Sequence, residues 1–277
     1  NDFQIMKEIT VIKPKKGLAN FDFKELWNYR ELFGVLSFRE FQVRYKQTVI
    51  GVLWAIIRPL LTMVVFTFLF SNVAKIDTGN VPYPIFSYAG LVLWTYFSTA
   101  VGQSSNSMIG NSKLITKVYF PRVIIPASST IVGLIDYAIS FIVVFGLMIY
   151  YHYPLTLSML LIPVILFVTW LLSVGVGLWF SALNVKYRDV QYALPFITQT
   201  LMYITPVIYP VSLAGQYQWL LSLNPLSGLV EAHRAAILGN VAVDWSTFGI
   251  SIAITLVVFI SGYLYFKKVE KYFADII

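Results

Sequence analysis

Two charges stand inside otherwise apolar stretches, where a charge needs an explanation. Arg58 lies in RYKQTVIGVLWAIIRPLL (44–61), a basic lead that runs without a break into an apolar span. Ahead of it Arg44 and Lys46 can reach lipid phosphates, and Trp54 carries the amphipathic ring favoured at headgroup depth. Arg58 can snorkel from near the start of the span, and the adjacent Pro59 costs least if a helix begins there. A charge that enters a span usually has a specific partner. The second charge, Asp136, admits two chemistries. It is either the carboxylate of a proton-coupled carrier or an acid hydrogen-bonded between helices, close to Tyr137 or to a serine from another span. No second acid or histidine shares its depth, which makes a poor proton relay.

Most other chemistry is missing. There is no Gly-Lys dipeptide, hence no Walker A loop to hold a nucleotide. The two histidines, His152 and His233, read as loop residues far apart in sequence, and a lone loop histidine is more often a surface residue than a ligand. No Asp-x-Asp pair, Gly-x-Ser-x-Gly elbow or HExxH helix occurs. Asp77, Glu231 and Asp244 are too sparse for a catalytic dyad. The absence of cysteine excludes disulfides, thiolate chemistry and Cys-based metal sites. The chain therefore reads as a non-enzyme with no catalytic residue, metal or cofactor of its own.

The elements that would carry these residues are transmembrane helices. Of the 277 residues 58% are hydrophobic and 12% charged, with a mean hydropathy of +0.73. A soluble domain carries about 25% charged residues, so too little polar surface remains for a water-facing shell. The expected architecture is an all-α polytopic membrane protein. A cytoplasmic N-terminal segment (1–50) precedes a six-helix transmembrane domain (51–277), with spans near 51–71, 84–106, 123–150, 158–181, 193–209 and 246–266. No cleavable signal peptide is expected, because Asn1 to Val43 is charged throughout and lacks a compact apolar core. Nine Lys or Arg residues precede position 50, three lie in 107–122, two in 182–192 and three in the tail. The positive-inside rule then places both termini in the cytoplasm.

Two further segments stand out. Phe21 to Arg39 reads as an amphipathic helix, with Phe23, Leu26, Trp27, Leu32, Phe33 and Leu36 on its apolar strip. Such a helix either lies in the headgroup plane or packs on another subunit. After span five, Pro206, Pro210 and Pro225 break the chain into short apolar pieces, Trp219 to Leu223 and Leu226 to Leu238. A re-entrant pair on the outer side fits them, because irregular backbone at membrane depth is tolerated only inside protein or beside a water-filled cavity. Span four carries Ser173, Gly177 and Ser181 at four-residue spacing, a face for close helix packing.

Four stretches then converge in order: RYKQTVIGVLWAIIRPLL (44–61), NSKLITKVYFPR (111–122), LNVKYRDV (183–190), and TPVIYP with LNPLSGLVEAHRAAILG (205–210, 223–239). Together they resemble the membrane subunit of a type-2 ABC exporter, in the polysaccharide and polyol-phosphate branch that includes O-antigen and teichoic-acid permeases. The resemblance runs over nearly all of the chain from about Tyr29. It implies a homodimer working with two copies of a separate ATPase that binds ATP and Mg, in a bacterial inner (plasma) membrane. The implied cargo is a polysaccharide, often lipid-linked, and no nucleic acid is involved.

On this resemblance the ATPase-coupling contacts fall on Asn111, Leu114, Ile115, Lys117, Tyr119, Phe120 and Arg122, and on Tyr187, Arg188 and Asp189. The same cations also enforce topology in any membrane protein, and Asp189 is also placed to start a helix. A lipid pyrophosphate would call on Arg30, Arg39, Arg44, Lys46 and Arg58, which suit bulk anionic lipid equally. Aromatic residues make up 17% of the chain, and their faces can stack on sugar rings. The candidate channel lining is Phe66, Phe70, Tyr88, Trp94, Tyr96, Phe97, Tyr203 and Tyr209, although aromatics also pack between helices and at membrane interfaces. Glu231 and Arg234 are the expected outer gate.

Overall fold

Backbone in hydrocarbon must satisfy its own hydrogen bonds, and the apolar runs accordingly become helices. The computed structural model describes residues 23–46, 51–239 and 242–273, and its regular elements are all helical. They are α1 (Phe23–Asn28), α2 (Arg30–Tyr45), α3 (Leu53–Phe66), α4 (Tyr83–Gly110), α5 (Ser112–Lys117), α6 (Ile124–Ser129), α7 (Ile131–Tyr150), α8 (Ile162–Lys186), α9 (Val190–Ile204), α10 (Gln218–Ser222), α11 (Pro225–Leu238) and α12 (Trp245–Val269). A π-helical turn, Thr67–Val73, extends α3.

Among the described residues five helical stretches are long and apolar enough to cross a membrane: Leu53–Val73, Tyr83–Gly110, Ile124–Tyr150, Leu157–Lys186 and Trp245–Tyr272. The expected span at 193–209 falls on α9, which is 15 residues long and short of that length by itself. It stops before Pro206 because Thr205 takes an extended backbone (φ −83, ψ 137), as a residue preceding proline prefers.

The core is built on α4, packed by α3, α6, α7, α8 and α11. Small residues let backbones approach. A Cβ on Gly177 of α8 would lie 2.2 Å from Ser104 Oγ of α4, and one on Gly262 of α12 would lie 2.3 Å from the Gly175 carbonyl of α8. Ser173 and Ser181 are fully buried on the same helix. Trp179 stacks on Tyr265 with ring centroids 4.3 Å apart and completes the α8–α12 seam.

Pro59 departs from expectation. It does not begin α3 but lies inside it. A proline there has no N–H for the carbonyl four residues earlier, and that carbonyl, on Ala55, instead accepts from Ser140 Oγ of α7 at 2.6 Å. The break in the helix ladder thus becomes a bond between helices.

The N-terminal amphipathic segment forms two helices, α1 and α2, the second running on to Tyr45. Leu36 is buried in a cluster with Ile124 and Ile125, and Leu26, Leu32 and Phe33 pack against it, whereas Trp27 is 69% exposed. Part of the strip thus packs on the chain's own helices. Residues 1–22, with Phe21 and Asp22, lie outside the described residues, as do 47–50, 240–241, 274–277 and the side chains of Phe23, Lys24 and Glu25.

Candidate functional site

Three polar constructions interrupt the apolar bundle. The first joins α2 to α7. Arg44 Nη2 lies 2.5 Å from Asp136 Oδ2, and the Tyr45 hydroxyl donates to the other carboxylate oxygen. With its amide oriented to satisfy its neighbours, Gln103 of α4 donates to the Ser129 carbonyl at 2.9 Å and accepts from Arg44. Asp136 is therefore an ion-paired, hydrogen-bonded acid between helices, and its partners come from the segment before the first span rather than from Tyr137 or a serine. Burial, with the bond to Asp136 second, pushes the Tyr45 phenol well above its usual range, so it stays a donor. Arg58 lies across the Trp54 ring, 5.8 Å from its centroid, and shares a small cavity of about 150 Å³ with Arg44 and Asp136. Arg39 contacts Glu40 at 3.0 Å and Asn111, Arg30 bonds the Trp27 carbonyl, and Lys46 is exposed.

The second construction fixes α11. Asn224 caps this helix through its side chain, and Pro225 occupies the first turn. Arg234 is only 3% exposed. Its guanidinium donates to the carbonyls of Phe86 (3.1 Å), Pro206 (3.1 Å) and Val207 (2.9 Å) and to Glu231 Oε1 (2.6 Å). It also stacks 3.7 Å over the Phe86 ring. A planar five-donor cation can serve three carbonyls and a carboxylate at once, and an ammonium cannot. At the preceding residue, His233, Nδ1 faces the Ala89 carbonyl at 2.9 Å and Nε2 faces the Tyr137 hydroxyl at 2.6 Å. A carbonyl only accepts, so Nδ1 carries the hydrogen and Nε2 accepts from tyrosine. The expectation of a surface loop for His233 is thus corrected: it lies on a helix, fully buried, because both ring nitrogens find partners there. Of the two expected gate residues, Arg234 is a buried fastener and Glu231 faces a cavity of about 440 Å³ bordered by Trp219, Ser227 and Asp244.

The third construction is the basic end of the bundle. Asn184 Nδ2 bonds the Ser105 carbonyl (3.1 Å) and Asn106 Oδ1 (3.0 Å), which sets the C-terminal ends of α4 and α8 side by side. The segments 111–122 and 186–189 therefore emerge together. Arg122 reaches the chain's C-terminal part, its backbone N–H to Glu270 Oε1 at 3.1 Å and its side chain to the Glu270 carbonyl at 2.5 Å. Lys267 holds the same carboxylate at 2.8 Å. Ile115 and Phe120 are buried and anchor the loop inward, Leu114 is half-buried, and Asn111 is tied to Arg39 and to the Ser107 carbonyl. What faces outward is Lys117, Val118, Tyr119, Tyr187, Arg188 and Asp189. Asp189 precedes α9 but makes no side-chain cap.

Residues 31–238 match the family described as ABC-2 type transporter. The chain belongs to that family. It is 31% identical over 217 residues to the O-antigen export system permease protein RfbA of Myxococcus xanthus, covering 76% of this chain and 82% of the relative. It is 28% identical over 249 residues to the protein of the same name from Klebsiella pneumoniae, covering 89% and 95%. The polysialic acid transport protein KpsM of Escherichia coli is 23% identical over 245 residues, covering 85% and 92%.

In this ABC-2 chain the expected channel aromatics divide into two groups. Tyr88, Trp94, Tyr96 and Phe97 are enclosed in the core, and in this conformation they present almost no surface to a cargo. Phe66 and Phe70 stack on each other at 5.6 Å and are half-buried, Tyr203 is 54% exposed, and Tyr209 donates to the Tyr203 and Ile204 carbonyls. Sequence reasoning passed over Tyr45, Asn184, Val118 and Glu270. Tyr45 adjoins Arg44 and Asn184 lies within LNVKYRDV, but their partners are distant in the chain and no local spacing announces them.

Proposed function

We propose that this chain is the transmembrane subunit of an ATP-driven exporter. It moves a polysaccharide of the O-antigen or teichoic-acid kind, carried on a lipid, from the cytoplasm across the bacterial inner membrane. The observation that carries this reading is the pair of O-antigen export permeases that align over most of their own length. In the proposal the chain crosses six times, with α9 and the residues up to Tyr209 as the fifth span. Both termini lie in the cytoplasm, and α10 and α11 form an outer re-entrant pair. Two copies assemble with two copies of a separate ATPase, which binds ATP and Mg.

The basic end is then the cytoplasmic one. Val118, Tyr119, Tyr187 and Arg188 present an apolar and cationic contact of the kind a partner's groove can hold. Buried Ile115 and Phe120 pass its displacement into the bundle. Phe66, Phe70, Tyr203 and Tyr209 are the aromatics with surface left for sugar rings, Arg58 and Lys46 are the nearest cations for a lipid phosphate, and Glu231 gates the outer side from the rim of its cavity.

Gentle detergent extraction from the native host, followed by native mass measurement, tests the assembly. A Walker-containing subunit at two copies per two permeases is expected. Recovery of the chain alone, under conditions that preserve other membrane complexes, would overturn it. Deletion of the chain should also abolish surface polysaccharide.

A further inference from the structure

Between α2 and the C-terminal half of α4 lies a groove of about 710 Å³. Arg39, Glu40 and Val43 border it on α2, and Thr99, Gly102, Asn106 and Gly110 are among the residues that border it on α4. Their spacing of three, four and four puts these α4 positions on one face of the helix. That face is unlike the outward face of α3 and its π-helical extension, where Leu61, Val64, Val65 and Phe68 are exposed. A membrane helix turned toward lipid exposes hydrocarbon. Here it exposes the Thr99 hydroxyl, two glycines and the Asn106 amide, itself bonded to the Gly102 carbonyl at 3.0 Å and to Asn184 at 3.0 Å, and so offers acyl chains little hydrocarbon.

The glycines sharpen the point. A Cβ at Gly102 or Gly110 would meet nothing within 4 Å, so packing inside the chain does not call for either. Glycine inside a helix is less favourable than alanine by about 1 kcal/mol. Thr99 also borders the smaller cavity that holds Arg44, Trp54 and Arg58, which continues the polar face from the basic end toward Arg58.

We propose that this groove binds the glycan chain on its way into the exporter, with sugar hydroxyls bonding to α2 and α4 and ring edges seated over Gly102 and Gly110. The inference rests on the polysaccharide-export reading and names the surface that reading needs, since four of the eight candidate aromatics are enclosed. The volume falls within the range of about 300–1,000 Å³ that suits small organic ligands, enough for a few sugar rings. A sugar hydroxyl both donates and accepts and a sugar ring has apolar C–H faces, which matches a wall that mixes hydroxyl, amide, guanidinium and carboxylate groups with the Val43 side chain.

The chain has no cysteine, so single thiols report cleanly. Gly102→Cys and Gly110→Cys, with Ile142→Cys (65% exposed on α7) as the lipid-facing control, are labelled with a membrane-impermeant maleimide. The labelling uses inverted membrane vesicles of the native host. One set comes from cells that make the polysaccharide and the other from cells blocked in its first sugar transfer. The expected result is rapid labelling of 102 and 110 in the blocked cells, several-fold slower labelling when glycan is present, and none at 142 in either. Equal labelling in both strains, or none at 102 and 110 in either, as when a second copy or lipid covers the groove, overturns the proposal. Gly102→Trp should stop export while the complex still assembles and hydrolyses ATP, and unimpaired export would also overturn it. If deleting the chain leaves surface polysaccharide intact, the export reading itself fails. If deletion abolishes it and the thiols ignore glycan, only the groove assignment fails.

Discussion

α3 with its π-helical extension (Leu53–Val73) and α4 adjoin in sequence and both suffice to cross a membrane, yet they are opposites. In its most apolar window α4 has 78% of its residues buried inside the chain, and the Leu53–Val73 stretch has 6%. The more buried helix is the less apolar one: α4 carries serines, threonines, Gln103 and Asn106, and α3 is nearly all hydrocarbon. In water the rule would run the other way. In a bilayer, lipid tails accept Leu and Val as readily as protein does, so burial is earned by small residues and by polar groups that must find partners. α4 is where His233, Arg234 and Asn184 deliver their bonds. α3 packs on α4 and α7 through Leu60, Met63 and Phe66 and is bonded to α7 where its ladder is broken, at Pro59, while its other face stays exposed.

Substitutions can break or sharpen that contrast. The largest effect is expected at Arg234: Arg234→Met strands three carbonyls and Glu231, a loss of about 3–5 kcal/mol. It should appear as a collapse of thermal stability in detergent, only partly rescued by Arg234→Lys. A wild-type melting profile would show that α11 is not held to α4 in this way. Next, Gly262→Ala forces a methyl against the Gly175 carbonyl and should cost about 1–3 kcal/mol. Gly249→Ala on the same helix meets nothing within 4 Å and should be neutral or stabilising by up to about 1 kcal/mol. Indistinguishable melting points for the two would dissolve the α8–α12 seam as an explanation.

A smaller effect is expected at the α2–α7 junction. A double-mutant cycle of Asp136→Asn and Arg44→Gln should show coupling of about 1 kcal/mol, with export persisting at every pH at which the wild type works. Loss of export in Asp136→Asn without loss of stability would revive the proton-coupled alternative. The smallest change in stability, within about 0.5 kcal/mol, is expected for Tyr203→Ala and for Val65→Leu on α3. Tyr203→Ala should still lower polysaccharide export more than ATP hydrolysis, and equal loss of both would remove it from the lining.

How much was legible beforehand follows the same physics. Hydrophobic runs and cation-rich loops are local signals, and they located all five long helices and the basic end. They failed where a partner decides. Pro59 reads as a helix start until Ser140 takes up the released carbonyl. His233 reads as a loop residue because LNPLSGLVEAHRAAILG is too short and mixed to look like a span, and its burial depends on Ala89 and Tyr137. The aromatic residues of α4 look like sugar platforms by type, but the glycines and serines around them pull other helices over their faces. Asp136 was open between relay and bonded acid, and only the approach of α2 supplies Arg44 and Tyr45.

One contact has a mechanical meaning. At Gly175 and Gly262 two helix backbones meet with no side chain between them that could repack, so the joint has no soft coordinate along which to yield. α12 leaves that joint and ends at Val269, and the next residue, Glu270, is gripped by Arg122 from the loop beyond α5. The same helix begins just after Asp244, which borders the far cavity together with Glu231, so a single element links the gripped loop at one end of the bundle to the cavity at the other.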